Sequence, residues 1–270
     1  MSDLTRRQLL LGAGAALLAG CASKSTRDTT GPDVEVVSGS FRSAARRREV
    51  GWSLAKPRRA ATPLPLVVVL HGRGGDHHGA FDSLHLDRTL AELIATGGAP
   101  LAVASVDGGD HTYYHRRADG DDPARMITDE LIPLLQKRFG LSERVGLAGW
   151  SMGGYGALLL AQTYGPQRFP VVAASSAALW RRWEDSAPGA FDGPSDFAAH
   201  DVLGDAPTKL ARTAVRLACG HSDPFYATNQ ALARALPSAG TDFRPGTHRS
   251  GFWRATDLGQ LRFLTGHLST

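Results

Sequence analysis

The chain has 270 residues, 42% hydrophobic and 21% charged, a composition that fits a globular protein and speaks against a disordered or membrane-embedded one. Its formal net charge of +4 is spread along the sequence, so there is no clustered basic face of the kind a nucleic-acid partner needs. With only two cysteines, Cys21 and Cys219, the domain must be held by its core and not by a disulfide framework.

Residues 1–20, MSDLTRRQLLLGAGAALLAG, set Arg6 and Arg7 ahead of an apolar run too short to span a bilayer, which is the layout of an export signal. Thr5-Arg6-Arg7-Gln8-Leu9-Leu10 resembles a twin-arginine signal, and Leu18-Ala19-Gly20-Cys21 resembles a bacterial lipobox. That resemblance implies cleavage before Cys21, lipidation of its thiol, and anchoring on the outer face of the cytoplasmic membrane or in the cell envelope. An ordinary secretory signal with an incidental cysteine is the alternative. Loss of residues 1–20 leaves 28 basic against 25 acidic residues, a charge of +3. Residues 21–33 are small and polar, as expected of a flexible tether, which places the folded domain at 34–270.

VEVVSGSF and RREVGWSL read as paired strands joined by a turn, and the basic run Arg46-Arg47-Arg48 between them reads as a solvated edge. LPLVVVLHG is a buried strand ending in glycine; a helix around Asp87–Ala95, a strand at 101–106 and the polar loop DGGDHTYYHRRADGDD follow. From Pro123 to Phe139, Met126, Ile127, Leu131, Leu134 and Leu135 recur at helical spacing, and Pro133 predicts a kink because its ring crowds the Asp129 carbonyl. Strand RVGLAGW, helix MGGYGALLLAQTYG, strands FPVVAAS and AVRLACG, and a helix from about Gly251 complete the chain. Apolar strands alternating with helices predict an α/β fold with a mostly parallel central sheet and helices on both faces. Residues 176–209, with Trp180, Trp183, Phe191 and Phe197, interrupt that alternation as a candidate cap insertion or a packed surface excursion.

Gly149-Trp150-Ser151-Met152-Gly153 lies where an apolar strand turns into an apolar helix. Glycines flanking a serine mark turns everywhere, but at such an elbow they let the backbone bend so that Ser151 projects above the sheet as a nucleophile. A base and an orienting carboxylate must follow in the chain order serine, acid, histidine. His248, in the glycine-containing loop PGTHRSGFW just before the last helix, and Asp223, in ACGHSDPFY where a buried strand runs out into a loop, fit that order. His200, His221 and His267 fit it badly, and Asp242 is the rival acid. The loop LVVVLHGRGG supplies an oxyanion donor, the N–H of Arg73, beside that of Met152 at the helix start. Tyr113, Tyr114, Arg116 and Arg117 after the strand at 101–106 are candidates to line the substrate, with Trp180 of the insertion. His71, Asp76, His77, His78, His111 and His115 match no metal-ligand spacing, so no metal and no cofactor are expected.

HGRGG, GWSMGGYGAL, CGHSDPFY and GTHRSGFW, in that order, resemble the Putative esterase family of α/β-hydrolases, which includes esterase D-type S-formylglutathione hydrolases and secreted mycolyltransferases. The segment DELIP at 129–133 is similar to a family segment too. The resemblance covers about residues 35–268 and implies an α/β-hydrolase fold with nucleophile, acid and base at Ser151, Asp223 and His248. The implied activity is serine carboxylester hydrolysis through an acyl-enzyme, on a small-molecule or lipid ester. Two alternatives stand beside it: an acyltransferase passing the acyl group to a sugar or lipid hydroxyl, and a non-catalytic surface lipoprotein on a hydrolase scaffold.

Overall fold

The computed structural model describes residues 34–60 and 63–269. The signal-like segment, Cys21 and the tether lie outside the described residues. Eight strands form one sheet: β1 Val34–Ser43, β2 Arg48–Pro57, β3 Leu66–Leu70, β4 Ala102–Val106, β5 Val145–Trp150, β6 Val171–Ser175, β7 Ala214–Gly220 and β8 Gly240–Arg244. Their order across the sheet is β1-β2-β4-β3-β5-β6-β7-β8. The β1–β2 hairpin is antiparallel and joins β4 antiparallel, while β4, β3, β5, β6, β7 and β8 run parallel.

The central parallel strands β3, β4, β5 and β6 are apolar because both faces are covered, whereas β8 at the edge, GTDFR, is polar and only partly buried. Along β3, Leu66, Val68 and Leu70 enter one core layer and Val67 and Val69 the other, the period of two that a strand imposes. The helices are α1 Gly79–Asp82, α2 Leu86–Ala95, α3 Pro123–Arg125, α4 Ile132–Phe139, α5 Met152–Tyr164, α6 Pro194–Ala199, α7 Val202–Lys209, α8 Tyr226–Ala235 and α9 Ser250–Leu268. On one face Leu90 and Leu93 of α2 and Leu261, Leu264 and Leu268 of α9 are buried. On the other lie Leu158 and Leu160 of α5, Ala206 of α7, Leu232 of α8, and Met126, Ile127, Leu131 and Leu135. Among the described residues no helix is long and apolar enough to cross a membrane.

One expectation about local structure gains detail and another changes. The helix before Pro133 carries a π-turn over Met126–Leu131, in which the Ile132 N–H bonds to the Ile127 carbonyl five residues back, an irregularity of the kind that bends helices. Pro133 follows that turn at the start of α4, and the Thr128 carbonyl five residues before it accepts from Arg168 Nη2 at 2.6 Å. The basic run between β1 and β2 is not a uniformly solvated edge. Arg47 and Arg48 are exposed, but Arg46 is buried. Its Nε and Nη2 donate to the two carboxylate oxygens of Asp121 at 2.8 Å each, and its Nη1 donates to the Asp107 carbonyl at 2.6 Å. A guanidinium fork matches a carboxylate in this way. It ties the hairpin turn to both ends of the loop 107–122.

The segment 176–209 folds as a short turn at Trp183–Asp185 followed by α6 and α7. Arg117 Nη2 reaches Asp192 at 2.8 Å, and Phe191 stacks on Tyr113, so the segment packs against the loop after β4.

Candidate active site

Ser151, Asp223 and His248 follow β5, β7 and β8 at the carboxyl edge of the parallel sheet, where open α/β folds place their ligand crevices. Ser151 sits between β5 and α5 with φ 56° and ψ −119°, a backbone conformation that costs a non-glycine residue free energy and that the surrounding packing must impose. A Cβ at Gly153 would overlap the Leu70 carbonyl, and one at Gly149 would overlap the Gly153 carbonyl, so the elbow can close only with glycine at both positions. The Ser151 N–H donates to the Ser175 carbonyl at 3.0 Å and the Ser151 carbonyl accepts from Ala178 at 3.0 Å, which locks the turn to β6.

His248 joins the other two side chains. Its Nε2 is 2.8 Å from Ser151 Oγ and its Nδ1 is 2.9 Å from Asp223 Oδ2. The Asp223 carboxylate is fully buried. Burial alone would push its pKa up, but hydrogen bonds from His248, the Phe225 N–H and the Ser176 hydroxyl outweigh that and hold it below the ordinary aspartate value. It therefore remains ionised at neutral pH, as an orienting group for an imidazole must. The Ser176 Oγ in turn accepts from Trp253 Nε1 at 3.0 Å, and the Trp253 ring meets His248 edge-on at 5.1 Å.

The rival residues are engaged elsewhere. Asp242 lies within β8 and pairs with Arg244 and Arg216. His267 contacts the Phe263 carbonyl one turn back on α9, His200 ends α6, and His221 is exposed beside Tyr226.

The loop after β3 is held in place by its own polar side chains. His71 Nε2 accepts from the Gly108 N–H at 3.0 Å, so the ring proton sits on Nδ1 and is donated to the Gly72 carbonyl at 2.8 Å. Burial lowers the pKa of His71 and keeps the ring neutral, which preserves both bonds. Gly74 donates to the Asp110 carbonyl at 3.0 Å. Among the described residues, the N–H groups of Arg73 and Met152 have no protein acceptor. The Met152 side chain is buried in the core.

Asp107 fastens the same loop to the sheet. It accepts from the N–H and Nδ1 of His77 at 2.9 and 2.7 Å and from the Gly51 N–H at 2.9 Å. Burial opposes ionisation, but these bonds win and bring its pKa down to about 2. A depressed value means stability that is complete above the ordinary aspartate range and is lost as the pH falls toward the folded value. With its side chain 34% exposed, solvent screening limits this to about 1 to 2 kcal/mol. Urea midpoints measured from about pH 5 down to about pH 2 should fall less steeply for Asp107→Asn than for the wild type; equal slopes would count against the assignment.

Of the candidate substrate-lining residues, Arg117 pairs with Asp192 and Tyr114 is turned into the core. It is fully buried, its hydroxyl donating to the His71 carbonyl at 3.0 Å, so it supports the loop after β3 from beneath. Its neighbour Tyr113 is 3% exposed and packs against Tyr155, Phe191 and Trp180, with its phenol pushed up to about 12 by burial. Trp180 is half-buried and continues through Phe225, 5.6 Å away, to His248, 5.4 Å further. Phe225 and Trp253 fall within the segments CGHSDPFY and GTHRSGFW that carry the family resemblance, with no role of their own read there, and Ser176 falls in none of them. The FW pair shortly after His248 was the available signal for Trp253, whereas Ser176 had none.

A family model described as Putative esterase matches residues 43–256. The chain belongs to that family. Membership places it among hydrolases, and the curated Iron(III) salmochelin esterase of Escherichia coli is 26% identical to it over 218 residues. That match covers 76% of this chain and 51% of the relative, so the chain spans about half the length of the curated protein. Among solved structures, a ferulic acid esterase superposes with a TM-score of 0.76 at 19% identity, over 88% of this chain and 99% of its own. A fluorophosphonate-binding serine hydrolase of Staphylococcus aureus gives 0.72 at 22% identity, over 86% and 99%. At these identities the superpositions establish the fold, an α/β-hydrolase fold, and nothing finer.

Proposed function

We propose that this esterase-family member is a serine carboxylesterase acting through an acyl-enzyme on Ser151. The observation that carries the reading is the position of His248, within hydrogen-bond reach of both the Ser151 hydroxyl and the Asp223 carboxylate. His248 Nε2 takes the hydroxyl proton as Ser151 Oγ attacks the ester carbonyl, and returns it to the departing alcohol. Water activated by the same imidazole then releases the acid and restores Ser151. Asp223 holds the proton on Nδ1, leaving Nε2 free to accept. The N–H groups of Arg73 and Met152 receive the developing oxyanion, and each such donor contributes about 2.7 to 4 kcal/mol to the transition state. Trp180 and Phe225, in line with His248, form the apolar side against which the substrate rests, and residues 176–209 serve as the wall that carries it. Among the described residues no contact favours a sugar or lipid hydroxyl over water as acceptor.

A fluorophosphonate probe should label the wild type and fail to label Ser151→Ala, and the variant should lose turnover of a short p-nitrophenyl ester. Undiminished labelling of the variant would place the nucleophile elsewhere.

Export and lipid anchoring form a separate part of the proposal, supported by the Arg6-Arg7 and Leu18-Ala19-Gly20-Cys21 motifs. Mass spectrometry of protein recovered from membranes should find a mature chain beginning at lipid-modified Cys21. An unmodified or uncleaved terminus would remove the anchor.

A further inference from the structure

A second set of titratable side chains lies apart from the triad, where the segment 176–209 meets the loop 107–122. His115 comes from that loop and is buried; Asp196 lies on α6 and His200 ends it. One donor atom from each of the three falls within 4.8 Å of the other two. Asp196 Oδ1 is 3.0 Å from His200 Nδ1 and 3.7 Å from His115 Nδ1, and the two imidazoles stack at 4.3 Å.

The surroundings of His115 decide what this cluster lacks. Both of its ring nitrogens face backbone carbonyls, Nε2 that of Ala190 and Nδ1 that of Arg116, at 3.1 Å each. A neutral imidazole has one N–H to give. If Nε2–H donates to Ala190, the His115 Nδ1 lone pair is left facing the Arg116 carbonyl and the Asp196 carboxylate, and the one proton that His200 Nδ1 can carry already lies against the Asp196 main-chain carbonyl at 2.8 Å. A single divalent cation among the three side chains resolves the conflict.

We propose that His115, Asp196 and His200 bind one zinc-class divalent cation through Nδ1, Oδ1 and Nδ1. Two imidazoles and a carboxylate are a zinc donor set, and ligand atoms about 2.0 to 2.2 Å from a tetrahedral ion lie roughly 3.4 Å from one another, between the two separations found here. The Ala190 carbonyl plays the part usual for the outer partner of a ligating histidine, holding the proton on the far nitrogen so that the near one can coordinate. The ion joins α6 to the loop after β4 and so fixes Phe191, which stacks on His115 and on Tyr113. Its role is to stiffen the aromatic wall beside the triad. It takes no part in the acyl-transfer steps.

Tag-free full-length protein, stripped with a chelator and dialysed, should bind Zn²⁺ at one site per chain in a calorimetric titration and unfold at a higher temperature when loaded. Co²⁺ in its place should show the visible absorption of a four-coordinate nitrogen–oxygen site. His200→Ala and Asp196→Asn should each weaken Zn²⁺ binding at least about tenfold, and His78→Ala, outside the cluster, should leave it unchanged. Absence of a one-to-one site in the wild type would overturn the proposal. So would an affinity unaltered in His200→Ala and Asp196→Asn, or an acid-dependent stabilisation with no response to Zn²⁺, the mark of a proton alone. Fluorophosphonate labelling of Ser151 does not depend on the ion, so failure here and failure of the esterase reading remain distinguishable.

Discussion

Replacing Asp223 by Asn lowers kcat for a p-nitrophenyl ester by roughly 10,000-fold while KM and the folded state change little. An amide of the same shape can turn its NH₂ toward His248 Nδ1, which transfers the imidazole proton to Nε2, the nitrogen that faces Ser151. A protonated Nε2 cannot accept the hydroxyl proton, so the nucleophile is no longer activated although every atom is close to its place. The buried polar contacts of residue 223 survive in part, because the Phe225 N–H still finds a carbonyl oxygen. Asp242→Asn is the informative comparison: that carboxylate is committed to Arg216 and Arg244, and turnover should stay near the wild-type value. Steady-state kinetics, with circular dichroism as the check on folding, decide the matter. A collapse of kcat in Asp242→Asn with Asp223→Asn active would reverse the assignment of the acid.

Arg46→Ala should cost about 3 to 5 kcal/mol of stability, because it leaves the Asp121 carboxylate buried without its fork and the Asp107 carbonyl without its donor. Asp121 is kept below the ordinary aspartate range chiefly because the bonds and charge of Arg46 overcome its burial. That contribution exists above the ordinary value and fades as the pH falls through the folded one. Arg48, 3.5 Å from Asp121 and largely exposed, offers a weak substitute, which favours the lower end of the range. For a domain of this size the unfolding temperature should drop by roughly 10 °C. Arg46→Lys should rescue little, since one ammonium cannot span two carboxylate oxygens and a carbonyl. The double variant Arg46→Met/Asp121→Leu should be more stable than Arg46→Ala, because it removes the stranded charge together with its partner. Urea unfolding monitored by tryptophan fluorescence measures all three; a loss below about 1 kcal/mol in Arg46→Ala would show the pair to be solvated after all.

The two predictions differ in how much of them could be seen in the chain. Asp223 was accessible because it follows the largely apolar run AVRLACG of a parallel strand, and His248 because it lies in a glycine-containing loop just before the last helix. The pairing of Arg46 with Asp121 was not accessible. Three arginines in a turn look alike by charge, and which one turns inward depends on a loop 75 residues away. Tyr114 shows the same limit from the other side. A tyrosine in a polar loop reads as a surface residue, yet the positive φ values of Tyr113 and Tyr114, 50° and 60°, turn the second ring under the glycines at 108 and 156. The π-turn before Pro133 escaped for a subtler reason: helical spacing of apolar residues survives one extra residue in a turn, and only the hydrogen-bond pattern records it.

Sequence alone determined the α/β order, the strands that are buried on both faces, the elbow at Ser151 and the order in which Asp223 and His248 follow it. These are properties of periodicity and of glycine sterics, which act over a few residues. Tertiary structure decided which of three arginines is buried, which of two tyrosines faces the wall, and that His115 meets Asp196 and His200. Each of those depends on two segments distant in the chain arriving at one place, where burial makes an unpaired charge or an unshared proton costly. A linear pattern of residue types carries no record of that cost.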